Sequence, residues 1–402
     1  MIGEIFDEHT RQDIVDAQAL GLDAFALNIN CLQSWATNTV DRLFNNADEL
    51  GFGLFFSFDM AAGTFNAPSD YASYLTKYTS RSSYFKYNKK PLVTTFGGEK
   101  VSNSAWSSFK STVGDITLIP GFYAARPSSD FFSSYSALDG VFNWNSWSYP
   151  DAGQVEVSTA DDKTFMSAAS KAGKAFIMGM SPLQFKHMTG DTNWYRRGES
   201  NLEIRIEQIL SMQPDMIELQ TWNDAGESHY MGNLWDEPMT GSSIHDYVDG
   251  YNHTGYWKVL PAFIKAWKRG DTTTSKIVPT NGKAVQGAFW HHTLTVDGDC
   301  SADPLGKPQD YKNAEDAVSG IVLVAEGNEG LVAVVNNGDK QLNKTTLSVG
   351  YNKFKFPGLG KGKVQLEVWD GSTMVGGGYG KLALVESADI CNYNFQVVGF
   401  PG

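Results

Sequence analysis

Carboxylic acids recur directly after short apolar runs in the first part of this 402-residue sequence. Asp59 closes the run Phe-Ser-Phe-Asp, and Glu99 follows Thr-Thr-Phe-Gly-Gly. Asp151 comes after Ser-Trp-Ser-Tyr-Pro, and Asp224 and Glu227 follow Leu-Gln-Thr-Trp-Asn. A single loop Asp commonly caps a helix or closes a turn, so any one of these residues has an ordinary structural explanation. Their recurrence at several strand ends favours a shared acidic site.

Aromatic rings and amides accompany these acids. Sugar rings stack their C–H faces on indoles and phenols, and glycosidic cleavage needs two carboxyl groups, one protonated and one ionised. Some tryptophans fill a core, but a core does not explain those set among Asn, Ser and Asp. The mixture indicates carbohydrate hydrolysis, and the candidate sugar contacts are Glu99, Asn143, Trp144, Trp147, Trp222, Asn223, His229 and Tyr230.

Other hydrolytic chemistries have weaker support. The sequence contains no G-x-S-x-G nucleophile motif and no C-x-x-C metal spacing. The pair His291 and His292 has no cysteine or acidic cluster beside it, and zinc sites usually need three or four ligands. We therefore expect neither a metal nor another cofactor.

Short apolar strands that alternate with amphipathic helices must position the acids, and this alternation continues for about 270 residues. Continuous apolar strands without a glycine-rich phosphate loop predict a (β/α)₈ barrel over residues 1–270 rather than a doubly wound sheet. In such a barrel the carboxyl ends of the strands face the active site. The predicted strands are 24–29, 54–59, 91–96, 116–122, 140–144, 175–180 and 216–222, with the stub of a first strand in 1–6. The predicted helices are 10–20, 37–50, 69–79, 128–138, 159–172, 200–212 and 256–267.

The pattern changes after residue 270, where short strands alternate with turns rich in Gly, Asn, Asp and Lys. This pattern of short strands and turns predicts an all-β sandwich domain over residues 271–402. Its connection to the barrel, 271–275, is polar and short, so we expect the two domains to pack against each other. Example strands are 330–336, 345–351, 364–369 and 393–398.

Composition limits the partners. The chain has 42% hydrophobic residues, which excludes disorder for most of its length. Its 32 Lys and Arg against 45 Asp and Glu give a net charge of −13, which offers no basic surface for nucleic acid. No apolar stretch approaches the roughly 20 residues of a membrane helix. We expect neither a nucleic-acid nor a membrane partner, and a monomer.

The three cysteines form no disulfide framework. Cys300 and Cys391 could pair if the protein is secreted, whereas Cys31 is expected to be a buried free thiol. The sequons at Asn252 and Asn343 permit secretion. The first residues carry neither a basic nor an apolar leader region, so we expect any signal peptide either to have been removed or to lie outside this sequence.

Five motifs make the chain resemble the fungal α-1,3-glucanases called mutanases, glycoside hydrolase family seventy-one. The last of them is very specific, and the resemblance covers nearly the whole chain. The motifs are Phe-Ser-Phe-Asp-Met (56–60), Phe-Gly-Gly-Glu (96–99), Asn-Trp-Asn-Ser-Trp (143–147), Met-Ser-Pro-Leu-Gln-Phe (180–185) and Gln-Pro-Asp-Met-Ile-Glu-Leu-Gln-Thr-Trp-Asn-Asp-Ala-Gly-Glu-Ser-His-Tyr (213–230).

The resemblance implies a (β/α)₈ barrel with a β-sandwich, secretion, and inverting endo-hydrolysis of α-1,3-glucan. The acids of the family match Asp59, Asp224 and Glu227 here. We expect Glu227 as the general acid, Asp224 as the general base, and Asp59 orienting the water or contacting the sugar; the first two roles could be exchanged. An inverting pair leaves room for a water between carboxyl groups about 6.5 to 9.5 Å apart, and we expect their shared loop to spread them so.

The resemblance has one departure. Family members have an apolar first strand ahead of the Met-x-Gly at which this sequence begins, so we expect an incomplete first strand and two unpaired sheet edges. Two alternatives to the assigned activity stay open. One is a carbohydrate-binding or wall protein that has lost activity, and the other is a hydrolase of a different α-glucan linkage.

Overall fold

A computed structural model describes residues 3–400. Within this range no helix is both long and apolar enough to cross a membrane. The helices are α1 (Asp7–Leu20), α2 (Ser34–Leu50), α3 (Ser69–Thr76), α4 (Asn103–Val113), α5 (Phe131–Ser134), α6 (Ala160–Ala172), α7 (Asn201–Met212), α8 (His245–Val248) and α9 (Leu260–Lys268). The first ten strands are β1 (Ala24–Ile29), β2 (Gly53–Asp59), β3 (Lys86–Tyr87), β4 (Lys90–Phe96), β5 (Thr117–Leu118), β6 (Gly140–Asn143), β7 (Ala175–Met180), β8 (Gln184–Thr189), β9 (Thr192–Arg196) and β10 (Met216–Leu219). The remaining strands are β11 (Val285–His292), β12 (Leu294–Asp299), β13 (Ala317–Val324), β14 (Val332–Asn337), β15 (Lys340–Thr346), β16 (Gly350–Pro357), β17 (Gly362–Asp370), β18 (Thr373–Ser387) and β19 (Phe395–Phe400).

Seven parallel strands form the wall of an α/β barrel. One arc contains β1, β2, β4 and β5 in that order, and the other contains β6, β7 and β10. The backbone N–H groups of Asp139 and Phe142 donate to the carbonyl oxygens of Leu118 and Pro120 and join the two arcs. Strands such as β7 are buried along their whole length, because helices cover the outside and side chains fill the inside.

The barrel wall is open between β1 and β10. Among residues 3–400, no strand pairs with the outer edge of either one, and a cavity of about 360 Å³ lies between them. Its lining includes Phe25, Leu27, Ile217 and Leu219. The part of the predicted first strand at residues 4–6 forms no strand, and Met1 and Ile2 lie outside the described residues. The described barrel therefore has seven strands instead of eight.

Two sheets follow the barrel in the chain. The first has the order β16-β13-β11-β19, and the second has the order β12-β18-β17-β14-β15. Phe289 and Val322 of the first sheet share a core with Ala333 and Leu366 of the second. The opposite face of the first sheet, which includes Ile321, belongs to the core of the barrel. Both faces of the first sheet are thus covered, which explains why β11 and β13 are buried throughout.

Several predicted boundaries differ from the structure. The helix predicted over 128–138 is a single turn, because the Ser-rich segment has low helix propensity. Helix α4 was not predicted, although Ser102 caps it by accepting the N–H of Ala105 and its Trp106 and Phe109 are buried. The hairpin formed by β8 and β9 was not predicted either.

Candidate active site

The loop after β10 is closed at its base by backbone hydrogen bonds. The Thr221 N–H donates to the carbonyl oxygen of His229, and the Met231 N–H donates to the carbonyl oxygen of Thr221, each at 2.8 Å. Inside the loop, Asp224 Oδ1 accepts the N–H of Glu227 at 3.1 Å and caps a short 3-10 turn over residues 225–227. This turn holds the two acids three residues apart beyond the end of a barrel strand.

His229 lies between the two acids. Its Nε2 is 3.2 Å from Asp224 Oδ2 and 3.7 Å from Glu227 Oε2, and its ring is completely buried. Partial burial alone would raise the pKa of Asp224, but the hydrogen bond and charge of His229 outweigh it and hold that pKa below its ordinary value. The two acidic side chains are 33% and 23% exposed, which leaves them open to a substrate.

Two residues of the β8–β9 hairpin bind Glu227. Lys186 Nζ lies 3.1 Å from Glu227 Oε1, and the Gln184 amide donates to Glu227 Oε2. The Lys186 ammonium also lies over the Trp194 ring, 5.0 Å from its centroid. Sequence reasoning missed both donors. The motif at 180–185 contains Gln184, but only the strand geometry reveals that alternate residues of β8 reach Glu227.

Asp59 stands at the end of β2, as predicted. Its Oδ1 accepts the backbone N–H groups of Ala61 at 2.8 Å and Ala62 at 3.1 Å. Burial raises the pKa of Asp59 in spite of these donors, and the negative charge of Glu227 adds to the effect. Asp59 therefore lies near enough to Glu227 to be affected by its charge.

An aromatic and cationic wall adjoins His229. The Trp147 ring is buried with its centroid 5.6 Å from that of His229. The Arg196 guanidinium lies 5.5 Å from the Trp147 centroid and donates to Asn145 Oδ1 at 3.3 Å. Burial lowers the pKa of Arg196, and the charge of Glu227 opposes that effect. Trp147 thus belongs to the acid cluster, as a support of His229.

The other predicted sugar contacts separate into three groups. Trp144, Trp222 and Asn223 line the cavity between β1 and β10. Asn143 and Tyr230 are buried, and their polar groups are engaged inside the protein. The Asn143 amide donates to Asp162 at 2.7 Å, and the Tyr230 hydroxyl accepts from Asn394 at 3.1 Å. Glu99 joins two loops, since it accepts the N–H of Ala124 and the hydroxyl of Tyr135.

The cluster also has the composition of a cation site. One ligand atom each from Asp224, Glu227 and His229 lies within 4.8 Å of the others. The Lys186 ammonium is already bound to Glu227 and would repel a metal ion. We expect acid–base chemistry without a metal at this position.

The whole chain, residues 1–402, matches the model of a family described as glycosyl hydrolase family 71. The "Ascus wall endo-1,3-alpha-glucanase" of Schizosaccharomyces pombe is 26% identical over 96% of this chain and 91% of its own length. A glucan endo-1,3-α-glucosidase of the same yeast is 29% identical over 79% of this chain and 74% of its own length.

A solved structure is similar in fold to part of this chain. The GH99 endo-α-mannosidase of Bacteroides thetaiotaomicron aligns with a TM-score of 0.51, covering 66% of this chain and 84% of its own. The sequence identity is 12%, so the likeness concerns the fold alone.

Proposed function

The chain belongs to glycosyl hydrolase family 71 and is a glycoside hydrolase, and from this membership we propose that it cleaves internal linkages of α-1,3-glucan. The two yeast relatives are named for that reaction. The observation that carries the proposal is the pair Asp224 and Glu227, partly exposed and joined by buried His229 at the end of a barrel strand. Such a pair can protonate a glycosidic oxygen and activate a water.

We propose Asp224 as the general base and Glu227 as the general acid. His229 and the Glu227 N–H both donate to Asp224, which favours its ionised form and suits a base. The acid is then the other carboxyl group of the pair, Glu227, which Gln184 and Lys186 hold in position. Asp59 then contacts the sugar or orients the water.

The stereochemical course depends on the distance between the acids. Our proposal is inversion, as the family resemblance implies. One observation favours retention instead: the nearest oxygens of Asp224 and Glu227 lie within 4.8 Å, and retaining pairs are about 5 to 5.5 Å apart. Inversion therefore requires one side chain to turn away from the other when glucan binds. Proton NMR of the first-formed product decides, since inversion of an α-linkage gives the β-anomer.

We further propose that residues 271–402 form a β-sandwich domain and that the protein acts as a monomer outside the cell or in its wall. The shared core of the two C-terminal sheets supports the first statement. The Cys300–Cys391 disulfide and the ascus-wall relative support a location outside the cell or in its wall, because disulfides persist in oxidising compartments.

The experiment that tests the function measures reducing sugar released from insoluble α-1,3-glucan, with α-1,4-glucan alongside. Asp224→Asn and Glu227→Gln should each lose about 10²-fold to 10⁴-fold in turnover while keeping the fold. Glu237→Gln is the matched control, because Glu237 pairs with His9 outside the acid cluster. Binding of glucan without sugar release by the wild type would identify a carbohydrate-binding protein, and release from α-1,4-glucan alone would correct the linkage.

A further inference from the structure

The β8–β9 hairpin has two faces with different neighbours. Successive residues of a strand point to opposite sides. The cross-strand pairs of β8 and β9 therefore lie alternately on one face of the hairpin and on the other. Gln184 and Lys186 lie on the face towards Glu227, which we call the site face. Phe185 and His187 lie on the other face, which we call the docking face, and both are buried. The hairpin therefore connects the acid cluster to whatever holds its docking face.

The docking face is held by a loop of the C-terminal part, residues 300–310. His187 Nε2 lies 2.7 Å from Asp303 Oδ2, and the two side chains are 3% and 2% exposed. Asn193 donates to the carbonyl oxygens of Leu305 and Gly306 at 3.0 and 3.2 Å. The backbone of the hairpin also exchanges two hydrogen bonds with Gln309, each of 2.9 Å.

Both ring nitrogens of His187 have buried hydrogen-bond partners. Because Asn193 uses its amide N–H groups on backbone carbonyls, its oxygen faces His187 Nδ1, at 2.8 Å. Asp303 faces Nε2 on the other side of the ring, so the ring is held from both sides. Burial by itself would raise the pKa of Asp303, but the N–H groups of Cys391 and Leu305 and the charge of His187 hold it below its ordinary value. His187 is therefore bound to a buried carboxylate.

Asp303 itself is fixed by the disulfide. Its Oδ2 accepts the N–H of Cys391 at 2.8 Å, and Cys391 is bonded to Cys300, three residues before Asp303. Its Oδ1 accepts the N–H of Leu305 at 2.9 Å. A rigid loop therefore carries the carboxylate that anchors His187.

We propose that Asp303 is a positioning residue for glucan hydrolysis: through His187 it fixes the β8–β9 hairpin, whose Gln184 and Lys186 orient Glu227. The inference rests on the proposed role of Glu227. It gives the C-terminal part a function in the reaction that does not depend on binding glucan. Displacement of a reacting group by about 1 Å can cost 10²-fold in rate, so a small movement of the hairpin is enough to be measured.

The test measures kcat and KM on soluble α-1,3-linked oligosaccharides for Asp303→Asn. We expect kcat to fall about 10-fold or more with KM changed less than about 2-fold, and backbone amides 184–196 to exchange faster with deuterium. Lys353→Met is the matched control, because it removes a different polar contact between the two parts of the chain, the exposed ion pair of Lys353 with Glu207. Its kinetics should equal those of the wild type.

A mutant cycle separates positioning from general destabilisation. In a Gln184→Ala/Lys186→Met background, Asp303→Asn should change kcat less than about 2-fold, since the path to Glu227 is already cut. If the effects of the two sets of substitutions on kcat multiply fully, the inference is wrong. It is also wrong if kcat falls while the backbone amides of the hairpin do not exchange faster. If Asp303→Asn does not fold, Asn193→Ala tests the same anchor, and wild-type kcat in that variant overturns it. If Glu227→Gln is active, the proposed function itself is wrong. If Glu227→Gln is inactive but the effects of Asp303→Asn and of the Gln184/Lys186 substitutions multiply, only this inference is wrong.

Discussion

Glu203 is a carboxylic acid buried where the barrel meets the first C-terminal sheet. It is 1% exposed, and its burial outweighs the polar groups beside it, which include the Ser319 hydroxyl. Burial raises its pKa from 4.5 to about 8. The folded protein therefore keeps Glu203 protonated at neutral pH, and the unfolded chain ionises it.

The sign and size of the effect follow from proton linkage. Between pH 4.5 and 8 the folded state binds more protons at this site than the unfolded state, so stability falls as pH rises. At about 1.4 kcal/mol per unit over the 2.5 units from 4.5 to 7, the cost is about 3 kcal/mol at pH 7. Glu203→Gln removes the ionisation and puts a neutral amide in the place of a neutral carboxyl group. The variant should be about 3 kcal/mol more stable than the wild type at pH 7 and about equal at pH 4.

Urea unfolding followed by tryptophan fluorescence at both pH values measures this difference. The control is Glu207→Gln, one helical turn further on, where the carboxylate is exposed and paired with Lys353. That variant should not gain stability at pH 7. A Glu203→Gln protein that is destabilised at pH 7, or that shows the same change at pH 4 and pH 7, would refute the reasoning.

Four other predictions concern the site and the domains. Glu227→Gln should keep more activity on a glucosyl fluoride than on glucan, because fluoride leaves without protonation; if Asp224→Asn is rescued instead, the two roles are exchanged. Trp144→Ala and Trp222→Ala should raise KM on polymer at a cost of about 1 to 3 kcal/mol, and a melting midpoint that falls with unchanged kinetics would make both indoles core residues. Cys300→Ser/Cys391→Ser opens a loop of sequence separation 91 and should lower stability by about 4 to 5 kcal/mol in the chain-entropy model, as measured by denaturant unfolding; a loss under about 1 kcal/mol contradicts it. Truncation after Lys268 should give insoluble protein because it exposes the apolar barrel surface under β11 and β13, and a soluble, cooperatively melting enzyme would contradict the domain proposal.

The alternation of strands and helices could be predicted from the sequence because the barrel strands are apolar on both faces. Phe176 and Ile177 are buried on opposite sides of β7, so no polar residue interrupts the run. The acids at strand ends followed from the same reading, and the structure places Asp59, Asp224 and Glu227 at those ends. The pairing of Cys300 with Cys391, left open in the sequence, is confirmed.

The residues that the sequence did not reveal depend on tertiary contacts. Lys186 and Gln184 belong to a short hairpin with mixed polar and apolar residues. Which of its residues face the site cannot be predicted until the neighbours of both faces are known. Asp303 is more than a hundred residues from His187 in the chain, so no local spacing links them. Asn143 and Tyr230 have residue types suited to sugar binding, but burial commits their polar groups to Asp162 and Asn394.

The most direct test of the central claim is a crystal structure of Glu227→Gln with an α-1,3-linked glucan oligosaccharide. We expect a sugar chain across the carboxyl ends of the barrel strands, with the residue 227 side chain about 2.6 to 3.2 Å from a glycosidic oxygen and a water held by Asp224. An oligosaccharide bound only on the C-terminal sheets, or one that runs through the barrel mouth with its glycosidic oxygens out of reach of residue 227, would contradict the account.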